Sequence, residues 1–154
     1  MLLEALPGRV VTNVEELGQY RLDRSGHVAA GTPIAAVHAR SIEDVQAACR
    51  IAYETGTPIV TRGAGTGLAG GGIADSGEIV LCMGSMQDIL EISPANRLAV
   101  VQPGILNGAL NEVLVTSGGK GGFVLDLPVS QTIIAEYMAE YMQGILSPAS
   151  NQTK

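Results

Sequence analysis

The residues best placed to do chemistry here are those that lack side chains. Residues 58–72 read PIVTRGAGTGLAGGG, with glycine at 63, 65, 67, 70, 71 and 72. A β-branched run, Ile59-Val60-Thr61, delivers the chain into a stretch whose backbone little can shield. N–H groups along such a stretch can point together at an anion. A diphosphate, with several oxygens close together, is a natural guest for that nest. Thr61 and Thr66 can add hydroxyl donors. The plainer alternative is a flexible hairpin or surface loop.

Two nucleotide-binding motifs compete for the same residues. Gly65-Thr66-Gly67-Leu68-Ala69-Gly70 spells G-x-G-x-x-G. The dinucleotide fingerprint of that spelling needs a helix to begin inside it, so that the helix N-terminus meets the diphosphate. Gly70, Gly71 and Gly72 fall where that first turn should form. Each glycine in a helix interior costs about 1 kcal/mol relative to alanine, so the helix is disfavoured. A P-loop requires Lys-Ser or Lys-Thr after its glycines, and none follows. What remains is a coil that holds phosphate through its main chain.

Positioning such a coil takes a sheet. Residues 32–38, TPIAAVH, read as a strand, and Ser41 with Asp44 then cap a helix. In that helix Ile42, Val45, Cys49 and Ala52 recur at helical spacing, and Gly56 is placed to end it. Pro58-Ile59-Val60-Thr61 is the next strand, so strand, helix and strand imply a right-handed parallel crossover. Residues 78–83, EIVLCM, form a third apolar strand. Residues 89–92 and 98–102 flank a Pro- and Asn-containing turn and read as an antiparallel hairpin. Pro103-Gly104 breaks it, and Leu106, Leu110, Val113 and Leu114 then stripe a helix that stops at Gly118. Upstream, Thr12 and Glu15 match a capping box for a short first helix. Near the end, Ile133, Ile134, Tyr137, Met138, Tyr141 and Met142 give one apolar face of a last helix, stopped by Pro148. That face is expected as core, with a dimer or partner contact as the sharper alternative. The fold class expected is α+β: a small sheet with a parallel β-α-β crossover and an antiparallel hairpin, helices packed on it, and an extra C-terminal helix.

Composition limits the partners. The 154 residues include nine basic and fifteen acidic ones, for a formal charge of −6. The seven Arg and two Lys are scattered, so nothing concentrates the positive charge that a nucleic acid or anionic membrane surface requires. The N-terminus, MLLEALPGRV, carries no basic region and no long apolar run. A cytoplasmic protein without a membrane span is expected. Cys49 and Cys82 stand apart from each other and from any His at ligand spacing, so no metal site is expected and both read as small core residues. His27 and His38 precede the glycine run, in a turn and at a strand end, and neither is expected to act as a base. No catalytic residue is assigned.

The string PIVTRGAGTGLAGG resembles the pyrophosphate loop of the FAD-binding domain of the p-cresol methylhydroxylase and vanillyl-alcohol oxidase type, shared by glycolate oxidase D subunits and D-lactate dehydrogenases. PIAAVHARSIEDVQAACRIA resembles the strand and helix before that loop, and LAVVQPGILNGALNEVL the strand, Pro-Gly break and helix after it. The resemblance covers residues 20–117 and implies the first subdomain of that fold. It assigns pyrophosphate contacts to the segment after Thr61: Arg62, Gly63, Ala64, Gly65, Thr66, Gly67 and Leu68, with Gly70 and Gly71, mainly through main-chain N–H groups. A solvated loop cation is the alternative for Arg62. Pro103 and Gly104 are placed along the flavin nucleotide. Some relatives attach flavin through a His in this loop; Thr66 stands near that place, which implies non-covalent FAD.

After residue 117 the sequence departs from the family. Ile134 and Ala135 stand where two glycines are expected beside the flavin ring. The division expected is a lead-in over 1–30, an FAD-binding subdomain over 31–117 and a divergent segment over 118–154. The resemblance implies the FAD-binding module of a flavin-dependent 2-hydroxy-acid (glycolate or D-lactate) dehydrogenase, truncated, not catalytic alone, and completed by a second subunit or polypeptide. A non-catalytic interaction protein that keeps the fold without flavin is the alternative, and a nicotinamide-binding protein a third.

Overall fold

The computed structural model describes residues 1–96 and 98–117. The chain divides into two compact units, Met1–Leu106 and Asn107–Lys154. The first unit holds helix α1 (Leu2–Ala5), strand β1 (Val10–Val11), helix α2 (Val14–Leu17), a 3-10 turn (Gly18–Arg21), strand β2 (Ala35–His38) and helix α3 (Ile42–Thr55). Strands β3 (Ile59–Arg62), β4 (Ile79–Cys82), β5 (Ile89–Ser93) and β6 (Leu98–Val101) follow. Helix α4 (Asn107–Ser117) opens the second unit and carries the expected Leu110, Val113 and Leu114.

Four strands form one sheet in the order β1-β2-β4-β3, with β1 antiparallel to β2 and the other three mutually parallel. The parallel crossover over β2, α3 and β3 is present, yet its two strands are not neighbours, because β4 lies between them. All four β4 residues, Ile79, Val80, Leu81 and Cys82, are buried, so this strand has two apolar faces and belongs at the centre. Its side chains alternate between layers. Ile79 and Leu81 pack with Val37, Ala48, Ala52 and Leu6 on the α3 side, whereas Val80 and Cys82 pack with Ala36, Leu17, Tyr20 and Ala74 on the other. Residues 63–78 join β3 to its parallel neighbour β4 as coil and turn, with no helix. β5 and β6 pair antiparallel as a separate hairpin, bulged between Ile89 and Glu91, around a 3-10 turn at Pro94–Asn96.

Three local expectations need correcting. Asn13, not Thr12, caps α2: its side chain accepts from the Glu15 and Glu16 amides at 2.9 and 3.3 Å, and asparagine ranks above threonine at that position. The buried face of α3 is turned toward Ala48, with Ala48 and Ala52 in the core and Val45 packed against it, which leaves Ile42 and Cys49 exposed. Alanine at 48 lets the helix axis approach the sheet, and a bulkier contact through Ile42 would hold it off. Cys49 is therefore not a core residue, although Cys82 is. The expected helix around 132–143, and Ile134 and Ala135, lie outside the described residues. Among the described residues no helix is long and apolar enough to cross a membrane, and no group of three or more His, Cys, Asp or Glu could hold a metal.

Candidate functional site

Three strand ends line up at the carboxyl edge of the parallel sheet. His38 of β2 pairs in register with Cys82 of β4, and Arg62 of β3 pairs with the same Cys82. In open parallel sheets ligands lie in the crevice outside this edge. The glycine run leaves it directly after Arg62. Tyr20, from the 3-10 turn, covers the three ends, with its hydroxyl 3.2 Å from His38 Nε2 and its ring 5.6 Å from the Arg62 guanidinium carbon. Burial pushes the Tyr20 phenol well above its ordinary pKa, and burial likewise raises the Cys82 thiol beneath it. Both are neutral at physiological pH. His38 shares a hydrogen bond with Tyr20, and His27 is exposed just after the turn at residues 24–26.

No helix begins inside the run, and the competing dinucleotide fingerprint is excluded on that ground. The amides of residues 64–71 donate to no acceptor among the described residues. Thr61 and Thr66 are exposed. The loop is nevertheless shaped. Gly65 turns at φ +70°, and a Cβ there would collide with the Arg62 guanidinium, whose Cζ would lie 2.8 Å away. At Gly63 and Gly71 an added Cβ would meet nothing within 4 Å among the described residues, which leave the space above them open.

Arg62 is neither a solvated cation nor turned outward toward a ligand. Its Nη1 donates to the carbonyl of Gly72 at 2.6 Å, which closes the loop on itself. A second strut comes from residues 22–28, inside the lead-in expected over 1–30. Arg24 N donates to Gly67 O at 3.1 Å, and the Asp23 carboxylate accepts the Ser25 amide at 2.8 Å through Oδ1. Asp23 Oδ2 is buried beside Gly67 and has no hydrogen-bond partner among the described residues. The one signal that could have revealed this strut is the turn-forming string Asp23-Arg24-Ser25-Gly26, whose Asp and Ser bind nearby amides.

The Pro103-Gly104 break reaches the same edge. The Met83 amide donates to Arg62 O at 2.9 Å, and Gly104 lies so close to the Met83 carbonyl that a Cβ would clash with it. Gly104 N donates to Met86 O at 2.8 Å. The short turn after β4 thus contacts both Arg62, where the glycine run starts, and Gly104.

The FAD binding domain family matches residues 33–136, and the chain belongs to that family. It is 37% identical over 112 residues to the D-2-hydroxyglutarate dehydrogenase of Stutzerimonas stutzeri, covering 73% of this chain and 24% of that one. It is 36% identical over 115 residues to the glycolate oxidase subunit GlcD of Escherichia coli K12, covering 73% and 23%. Among solved structures it resembles p-cresol methylhydroxylase with substrate bound, with a TM-score of 0.64, 27% identity, and 75% and 23% of the two chains covered. It also resembles 4-ethylphenol oxidase from Gulosibacter chungangensis, with a TM-score of 0.65, 28% identity, and 75% and 23% covered. The chain therefore spans about a quarter of the length of the curated relatives it matches. These likenesses establish the α+β fold of the p-cresol methylhydroxylase type, and FAD as the cofactor of the family to which the chain belongs.

Proposed function

We propose that residues 61–71 hold the diphosphate of FAD in a flavin-dependent oxidoreductase acting on a small 2-hydroxy acid. The observation that carries the reading is the run of amides over 64–71, which bond to nothing described and leave the carboxyl edge of a parallel sheet. The residues present fit the group: the side-chain-free space over Gly63 and Gly71 admits a ligand, and the exposed hydroxyls of Thr61 and Thr66 flank it. The binding set is Thr61, Arg62, Gly63, Ala64, Gly65, Thr66, Gly67, Leu68, Gly70 and Gly71, with Pro103 and Gly104 along the nucleotide. Within it main-chain amides make the phosphate contacts. The Arg62 side chain is engaged with Gly72 and shapes the loop from behind.

FAD, when bound, would supply the acceptor for one hydride, which carries two electrons. This chain's residues bind and orient it. The described residues carry no group placed to take a substrate proton, and turnover requires the further sequence that the relatives possess, on this polypeptide or on a second subunit. With threonine at 66 in place of a linking histidine, the flavin is held non-covalently.

Titration of the purified chain with FAD, followed by flavin fluorescence, tests the reading. Saturable quenching at micromolar FAD is expected, with FAD released on denaturation. Linear, unsaturated quenching across that range would instead favour an interaction protein that keeps the fold without flavin.

A further inference from the structure

A glycine-rich loop has more conformations to lose on binding than any other kind of loop. Left to itself, this one would resist ordering around a diphosphate. Three contacts restrict it. Arg62, at its start, donates to Gly72 O at its end at 2.6 Å, with its guanidinium carbon 5.6 Å from the Tyr20 ring centre and Gly65 lying close against the guanidinium. Arg24 N holds the loop's apex through Gly67 O at 3.1 Å. Asp23 buries Oδ2 about the apex, 3.5 Å from where a Gly67 Cβ would stand. The Gly72 amide faces this carboxylate without completing a hydrogen bond to Oδ2.

We propose that Arg62 and Asp23, backed by Tyr20, form a clasp that fixes the shape of the glycine loop before a ligand arrives. Both side chains act as positioning groups and neither side chain touches phosphate; at Arg62 only the main chain belongs to the binding set. The proposal rests on the diphosphate reading above. The turn to Ser25 uses Oδ1 alone, and the negative charge that the carboxylate sets beside an anion site opposes binding. Bonds from Ser25, then the Gly72 amide and the Arg62 charge, hold the Asp23 carboxyl below its ordinary pKa, so it is ionised at neutral pH. Electrostatics alone predicts that removing this charge strengthens diphosphate binding. The clasp predicts the reverse, because the loop must then be ordered at the moment of binding.

Amide hydrogen exchange of the 154-residue chain without ligand, and its affinity for FAD and for inorganic pyrophosphate, decide between these. Asp23→Asn is expected to speed exchange over residues 63–72, leave β2 and β4 unchanged, and weaken FAD binding about tenfold. Arg62→Lys keeps the charge and loses the planar fork. A phosphate ligand at 62 would tolerate that change, whereas the clasp would open as it does with Asp23→Asn. Unchanged loop exchange in either variant, or tighter FAD binding by Asp23→Asn, overturns the proposal. Should Arg62→Lys fail to fold, the isosteric Asp23→Asn variant still gives the answer. If the parent chain binds no FAD, the diphosphate reading falls, while the ligand-free exchange still reports on the clasp.

Discussion

Gly65 and Gly71 look alike in the sequence and do different work. Gly65 turns left-handed against a guanidinium, so its missing side chain serves the fold. Gly71 keeps ordinary φ and faces open space, so its missing side chain serves whatever enters that space. Gly65→Ala should lower stability by about 1–3 kcal/mol, from a left-handed penalty together with displacement of Arg62. Gly71→Ala should leave urea denaturation within about 0.5 kcal/mol of the parent. It should nonetheless weaken FAD binding; an unaltered affinity would place the ligand elsewhere. The glycine spacing made a coil without a helix legible in this segment. Which glycines carry structure was not legible, because Arg62 reaches back into the loop and Asp23 approaches from far earlier in the chain. Such contacts exist only after folding.

At the level of elements, β4 decides the sheet. It alone pairs with two parallel strands, and its side chains join both hydrophobic layers. Leu81 is 2% exposed in the layer beneath α3, so Leu81→Ala should cost about 2–5 kcal/mol in chemical denaturation. A loss below about 1 kcal/mol would mean that the layer collapses around the void or was never close-packed. The apolar run of β4 identified it as a strand, but not as the central one, since strand order depends on pairings between segments distant in sequence. Helix α3 was readable at both ends: Ser41 accepts from Asp44 N at 3.3 Å, and Gly56 closes the helix at φ +64°. Its buried face was misjudged because hydropathy ranks Ile42 above Ala48, while close packing against a sheet rewards the smaller side chain. Helix α1 and strand β1 went unread, having four and two residues and no periodicity to display.

Across the molecule, acid should loosen the fold through carboxylates that tie distant segments. Asp75 Oδ1 accepts the Ser76 and Gly31 amides at 2.7 and 2.6 Å, linking the approach to β4 with the approach to β2. Those bonds, Ser76 first, depress its pKa below the ordinary 3.8. A depressed carboxyl stabilises the native state fully above the unfolded value, and that contribution fades as pH falls through the folded value. Denaturation midpoints should therefore hold steady from neutrality to about pH 5 and decline below about pH 4, with Asp75→Asn showing a shallower decline. Parallel declines for parent and variant would remove Asp75 from the account.

The ribbon connecting β3 to β4 is the same glycine-rich segment that is proposed to bind FAD, and no helix makes that crossing. Shortening it would pull two adjacent strands out of register, so its length is set by architecture as well as by its guest. A deletion there is expected to disturb the pairing of β3 with β4 together with the proposed cofactor contacts.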